Sequence, residues 1–137
     1  MRVIVNGTFD ILHVGHINLL VKARELAGDE GSVIVAVDDD ERVSALKGAD
    51  RPIFTASERG QALYDLSYKG KPLVNSVQFF QSDGDLINII KKHKAEIMIK
   101  GSDWLGKRII GDDLVKIEFM PRMTDYSTTE IIKRCRK

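Results

Sequence analysis

The stretch Val5-Asn6-Gly7-Thr8-Phe9-Asp10-Ile11-Leu12-His13-Val14-Gly15-His16 constrains this 137-residue chain more than any other. Ahead of it, Val3, Ile4 and Val5 read as a short buried strand. Beyond it, Leu19, Leu20, Ala23, Leu26 and Ala27 recur at helical spacing, so a strand passes into a helix through one glycine-bearing turn. Such a turn gathers backbone amides at the positive end of a helix dipole, which suits a phosphate. His13 and His16 fall on one side of the opening helical turn and face the same ligand. Histidine can carry positive charge near neutral pH and donates well to phosphate oxygens.

The rest of the chain repeats the alternation of strand and helix. Ser32 to Val37 is a continuous β-branched run, as expected of a central parallel strand covered on both faces. Asp38-Asp39-Asp40-Glu41 follows at its carboxyl end and reads as a helix start leading to Lys47, with Asp40 as a cap. Ala45 to Ile53 is a loop carrying Lys47 and Arg51. Thr55 and Glu58 form a capping-box pattern before a helix through Leu66. Tyr68-Lys69-Gly70-Lys71-Pro72 is a break, and Val74 to Phe80 is a third strand. A helix from Asp83 to about Lys94 leads to a fourth strand at Ile97-Met98-Ile99, and Val115 to Phe119 supplies a fifth. Ser127 and Glu130 cap a last helix whose basic end suits its dipole. The expected architecture is α/β: a single doubly wound, Rossmann-like domain with a five-stranded parallel sheet.

Open sheets of this kind bind ligands at the carboxyl ends of their strands. Three phosphate-friendly features can meet there: the first turn with its histidines, the Lys47/Arg51 loop, and Arg122 with the helix start at Ser127-Thr128. Lys100-Gly101-Ser102-Asp103 is a further polar turn at a strand end. Arg59, a cation in the first turn of its helix, stands against the dipole and points to an anionic ligand or a surface ion pair. Asp40, Arg51 and Arg59 are the candidates for holding an acceptor. No G-x-S-x-G, P-loop or G-x-G-x-x-G motif is present, which disfavours covalent catalysis, P-loop kinases and dinucleotide dehydrogenases. His13, His16, His93 and Cys135 match no common zinc spacing, and no metal site of protein ligands is expected.

Composition bounds the partners. At 43% hydrophobic and 30% charged, with net charge +1, the chain has no field that would draw nucleic acid or an anionic membrane. Its one cysteine fits a reducing compartment, and no apolar run approaches the roughly 20 residues of a membrane span. A cytoplasmic protein without a signal peptide is expected.

Gly7-Thr8-Phe9-Asp10-Ile11-Leu12-His13-Val14-Gly15-His16 resembles the G-x-F-D-x-x-H-x-G-H signature of the cytidylyltransferase-like nucleotidyltransferases, with the H-x-G-H motif complete. Lys47-Gly48-Ala49-Asp50-Arg51-Pro52 is similar to the K-G-x-x-R-P segment of the adenylyltransferase half of ADP-heptose synthases, and Glu58-Arg59 to the family's E-R pair. Lys100 to Asp103 resembles the K-G-G-D turn of those enzymes, while Asp103-Trp104-Leu105-Gly106-Lys107 looks like the D-W-x-G-K of glycerol-3-phosphate cytidylyltransferases. Arg122 and Ser127-Thr128-Thr129 match the R-T-x-G-x-S-T-T motif of both branches, with Met123 and Asp125 where the family usually has Thr and Gly.

The resemblance covers essentially residues 1–137 and implies one nucleotidyltransferase domain. It implies that His13, His16, Lys47 and Arg122 are catalytic and hold the nucleotide phosphates together with Ser127 and Thr128. Gly7, Thr8, Phe9, Asp10 and Gly15 would line the nucleotide from the first turn. Lys100, Gly101 and Asp103 would add contacts, Asp103 near the base or ribose. The expected reaction transfers a nucleotidyl group from a nucleoside triphosphate, carried with Mg²⁺, to a small phosphorylated acceptor. ATP with a heptose-type sugar 1-phosphate is the leading pair, and CTP with glycerol 3-phosphate its rival. A non-catalytic nucleotide-binding module is a further alternative, and the family also suggests a homodimer.

Overall fold

Alternation of side chains along five short strands builds two apolar layers in the computed structural model, which describes residues 1–121 and 128–135. The strands are β1 (Arg2–Gly7), β2 (Ser32–Asp38), the hairpin pair β3 (Ser67–Tyr68) and β4 (Lys71–Pro72), β5 (Ser76–Phe80), β6 (Ile97–Gly101) and β7 (Lys116–Met120). The helices are α1 (Val14–Ala27), α2 (Asp40–Lys47), α3 (Ala56–Tyr64), α4 (Asp83–His93) and α5 (Thr128–Cys135). The main sheet runs β5-β2-β1-β6-β7 with all pairings parallel. This is the expected five-stranded, doubly wound sheet.

Successive residues on a strand point to opposite faces. Val3, Val5, Val33 and Val35 pack on one face with Leu20 and Ala23 of α1 and Leu63 of α3. Ile4, Ile34, Ala36 and Met98 pack on the other with Leu86 and Ile90 of α4. Each fully buried Val, Leu or Ile contributes roughly 1.5–3 kcal/mol, so these two layers are the main stabilising force of the sheet. The order also fixes the place of a ligand. From β1 the chain moves outward through β2 and β5, then returns to the other side of β1 with β6 and β7. The crevice between the carboxyl ends of β1 and β6 is therefore the topological switch point.

Three local expectations change. The break at Tyr68 to Pro72 is a small antiparallel hairpin, with Ser67 opposite Pro72 and Tyr68 opposite Lys71. Lys69 and Gly70 both have positive φ, 52° and 77°, the requirement of the tight turn whose twist matches a hairpin. The third long strand begins at Ser76 rather than Val74. Here the Asn75 side chain intervenes: its Oδ1 accepts from Val33 N at 2.8 Å and from the buried Arg24 guanidinium. Finally, Asp39 rather than Asp40 caps α2, accepting from Arg42 N at 2.9 Å.

Among the described residues no helix is long and apolar enough to cross a membrane. Leu63, wholly buried, anchors α3 to the sheet. Leu63→Ala is expected to lower unfolding free energy by about 2–5 kcal/mol, read as a shift in the urea midpoint at unchanged slope.

Candidate functional site

The turn after β1 is shaped by strain and by hydrogen bonds to its own backbone. Phe9 and Ile11 both adopt left-handed backbone with φ of 53°, a conformation that costs energy in non-glycine residues and clusters at functional sites. Between them Asp10 is fully buried. Its carboxylate accepts from Ile53 N at 2.7 Å and Phe54 N at 2.9 Å, which pins the loop after α2 onto the turn. Arg51 Nε lies 3.7 Å from Asp10 Oδ2, a charge pair too long for a hydrogen bond. Arg51 is 8% exposed, and its Nε and Nη2 have no hydrogen-bond partner among the described residues.

The two histidines cap α1. His13 Nδ1 accepts from Gly15 N at 3.1 Å, and His16 Nδ1 accepts from His13 N at 3.3 Å. The rings lie with centroids 3.9 Å apart, and Phe9 packs 5.3 Å from the His16 ring. With Nδ1 accepting, a neutral ring carries its proton on Nε2, so each imidazole presents a donor directed away from its own backbone. Burial lowers the His16 pKa to about 4, helped by His13 and Lys47 and opposed by Asp10. His16, of a residue type that can carry charge near neutral pH, is therefore a neutral donor in the ligand-free site, because desolvation and neighbouring cations outweigh the one carboxylate.

Three further elements bring charge to the same edge. At the end of α2 the Lys47 ammonium is partly withdrawn from water, although the residue as a whole is exposed. That withdrawal and the nearby Arg51 lower its pKa against the pull of Asp38 and Asp10. At the end of β6, Lys100 is 9% exposed, with its ammonium 4.5 Å from the Trp104 ring centroid. Burial lowers its pKa too, while Asp38 and Asp103 raise it. Asp38 itself accepts from Thr8 Oγ1 at 3.3 Å and from Arg42 Nε at 2.8 Å. A Cβ at Gly101 would meet Asp103 Oδ1 at 2.6 Å, so any larger residue there would turn the Asp103 carboxylate aside. Among the described residues no three of His, Cys, Asp and Glu converge as metal ligands.

Arg59 behaves unlike the surface cation or anion ligand read from the sequence. It is 2% exposed, and its guanidinium joins four segments. Nε donates to Phe54 O at 3.0 Å, Nη1 to Thr8 O at 2.7 Å and Asp38 O at 2.8 Å, and Nη2 to Asp40 Oδ1 at 2.8 Å. Asp40 also accepts from Ala56 N at 2.8 Å. Both residues, expected near an acceptor, thus hold the scaffold of the turn; carbonyls that face inward at a sheet edge need a donor, and a planar fork supplies several. Arg122, Met123, Asp125 and Ser127 lie outside the described residues, as does the Thr128 side chain, although Thr128 opens α5.

The structure therefore gathers His13, His16, Lys47, Arg51 and Lys100 around the strand ends, with Thr8 and Gly7 between them. Sequence reasoning passes over Asn6, Asp38 and Trp104 as individual side chains. The available signal is positional: Asn6 and Asp38 are polar residues that close apolar strands at the ligand edge.

Comparison with known proteins adds a second line. A family model described as "Cytidylyltransferase-like" matches residues 4–134. The chain is 41% identical over 133 residues to "Bifunctional protein HldE" of Campylobacter concisus (strain 13826), covering 96% of this chain and 26% of that protein. It is 40% identical over 135 residues to the protein of the same name from a Nitratiruptor species, covering 98% and 27%. The chain thus spans about a quarter of the length of these curated relatives. Among solved structures it is similar to the lipopolysaccharide core biosynthesis protein of Thermoplasma volcanium GSS1. That likeness has a TM-score of 0.67 at 26% identity and covers 93% of this chain and 98% of that one.

Two expectations follow from the site. Arg59→Met leaves three backbone carbonyls without this donor and the Asp40 carboxylate with Ala56 N alone, and should lower unfolding free energy by about 3–5 kcal/mol. Arg59→Lys recovers only part of it, since an ammonium cannot span the fork; urea unfolding of both variants reads the difference. For His16, the folded pKa lies below the unfolded 6.5, so the unfolded state binds more protons between the two values. Stability should therefore be complete above pH 6.5 and fall, by about 3 kcal/mol from this residue, as pH drops towards 4. His16→Gln should flatten that slope in denaturation curves taken across the window.

Proposed function

Since the chain belongs to the cytidylyltransferase-like family, we propose that it transfers a nucleotidyl group from a nucleoside triphosphate to a small phosphorylated acceptor. An oxygen of the acceptor phosphate attacks the α-phosphorus in line. The new P–O bond forms as the α–β bridging bond breaks, and pyrophosphate departs with the electron pair. The observation that carries this reading is the histidine pair at the start of α1, each ring held through Nδ1, which leaves Nε2 as the nitrogen that can donate to a phosphate oxygen.

In this reading His13 and His16 stabilise the negative charge that grows on the pentacoordinate phosphorus, and the α1 dipole adds to them. Lys47 and Arg51 neutralise the departing β- and γ-phosphates; Nε and Nη2 of Arg51 make no hydrogen bond among the described residues, Asp10 being a charge partner only, and have donors to offer a phosphate. Arg122, Ser127 and Thr128 complete the phosphate contacts, and Asp103 lies towards the base or ribose. No covalent enzyme intermediate is required, since positioning and charge stabilisation supply the rate. The described carboxylates Asp10 and Asp38 are already engaged by amides, a hydroxyl and arginines, which suits a divalent cation carried by the phosphates instead of a protein cage. Carried in with the nucleotide, Mg²⁺ would supply positive charge that offsets the charge of the phosphates.

For the substrates we favour ATP and a heptose-type sugar 1-phosphate. Support comes from the Lys47-to-Pro52 and Lys100-to-Asp103 segments and from relatives that share the name HldE. Those relatives are called bifunctional, and the quarter of their length matched here corresponds in this reading to one of two activities. Cytoplasmic location and a homodimer belong to the same proposal.

The test is pyrophosphate release with ATP, CTP, GTP and UTP against heptose 1-phosphate and glycerol 3-phosphate, with Mg²⁺ present. Turnover confined to ATP and the sugar phosphate is expected; turnover only with CTP and glycerol 3-phosphate would replace the substrate pair. In the active pair, His16→Ala should cut kcat by about 10²–10³. It should lower unfolding free energy by only about 1 kcal/mol through loss of its capping bond. Full activity in that variant would remove the histidine from the mechanism.

A further inference from the structure

The same alternation that builds the core places three polar side chains together on one sheet face. Ile4 is followed two residues on by Asn6, Ala36 by Asp38, and Met98 by Lys100, at the carboxyl ends of the adjacent strands β1, β2 and β6. The register agrees: Asn6 lies opposite Ala36, and Ile4 opposite Met98. Asp38 is satisfied by Thr8 and Arg42. Asn6 is not: its Oδ1 is buried without a hydrogen-bond partner among the described residues, and beside it the nearly buried Lys100 side chain carries its ammonium over the Trp104 ring.

The bare carboxamide oxygen opposes folding, the ammonium beside it has donors to give, and one kind of ligand answers both. A hydroxyl group donates to the first and accepts from the second. The two residues flank the switch-point crevice from the α4 side. The triphosphate donors stand at the start of α1 and the end of α2. In-line attack requires the acceptor to approach from the side opposite the leaving pyrophosphate, and the crevice wall at β1 and β6 offers that approach.

We propose that Asn6, Lys100 and the Trp104 ring form the subsite for the hydroxyl-bearing skeleton of the phosphorylated acceptor. A ligand hydroxyl donates to Asn6 Oδ1, Lys100 donates to an adjacent ligand oxygen, and a C–H face of the sugar or polyol lies on the indole. This rests on the transfer reaction above and names Asn6 as the residue that reads hydroxylation.

The test compares wild type with Asn6→Leu, using Asn6→Ala if the first does not fold. Acceptors are heptose 1-phosphate, glycerol 3-phosphate and deoxy analogues of each that lack single hydroxyls. In wild type, one deoxy analogue should lose at least about tenfold in kcat/KM. In the variant the intact acceptor should lose a similar factor, discrimination between the two should vanish, and the nucleotide KM should stay within about twofold. The melting temperature should hold or rise, because a bare buried oxygen has gone. Discrimination that persists in the variant, or a rise in nucleotide KM in place of acceptor KM, overturns the assignment. Absence of pyrophosphate release from wild type with every pair would count against the transfer reaction instead. The subsite then stands on Trp104, the one tryptophan of the chain: fluorescence change on titrating the sugar phosphate, lost in Asn6→Leu, supports it, and no change in wild type overturns it.

Discussion

Arg59 brings a permanently charged fork to the edge of the sheet and attaches there the carbonyls of Thr8, Asp38 and Phe54 and the carboxylate of Asp40. Each partner belongs to a different piece of the candidate site: the first turn, the end of β2, the loop after α2 and the start of α2. The strained Phe9–Ile11 turn persists because such contacts over-determine it. Asp10 does the complementary work from the other sign of charge, holding the amides of Ile53 and Phe54. One buried cation and one buried anion thus set the relative positions of residues that themselves face the ligand.

That scaffold leaves the ligand side electrostatically unbalanced. Lys47 and Lys100 are held below their ordinary pKa by loss of water, and His16 is neutral for the same reason. Arg51, which cannot shed its proton, has two nitrogens without a hydrogen-bond partner among the described residues. Each of these conditions is reversed by an arriving polyanion. Much of the affinity for a triphosphate would then come from relief of strain already present in the empty site, with little rearrangement on binding.

The strand–turn–helix unit, the five strands and the histidine pair are legible in the sequence because each depends on local period or on spacing. Thr55 and Glu58 show the same: the capping box appears as read. Arg59 is not legible in this way. Its helix position suggests a surface charge, whereas three of its four partners are backbone carbonyls, which no side-chain pattern encodes. Asp40 gives way as a cap to its neighbour Asp39 because the Arg59 bond claims its carboxylate. Asn6 is hidden in plain view: its significance lies in which face β1 turns toward α4 and in what fails to bond it there. The Lys69-Gly70 turn depends on Ser67 and Tyr68 finding partners across it, which a single short stretch does not reveal.

The strand order has a bearing on synthesis as well as on ligands. β1, β2 and β5 all lie within the first 80 residues, and β1 and β2 can pair as soon as both have left the ribosome. The crevice has its second wall only when β6, which ends at Gly101, adds to the free edge of β1. Until that moment β1 exposes an unpaired, strongly apolar edge, the hazard that sheet proteins must cover quickly. The β6 wall of the crevice is therefore among the last parts of the sheet to be added, and the step that completes the crevice is the same one that closes the most vulnerable edge of β1.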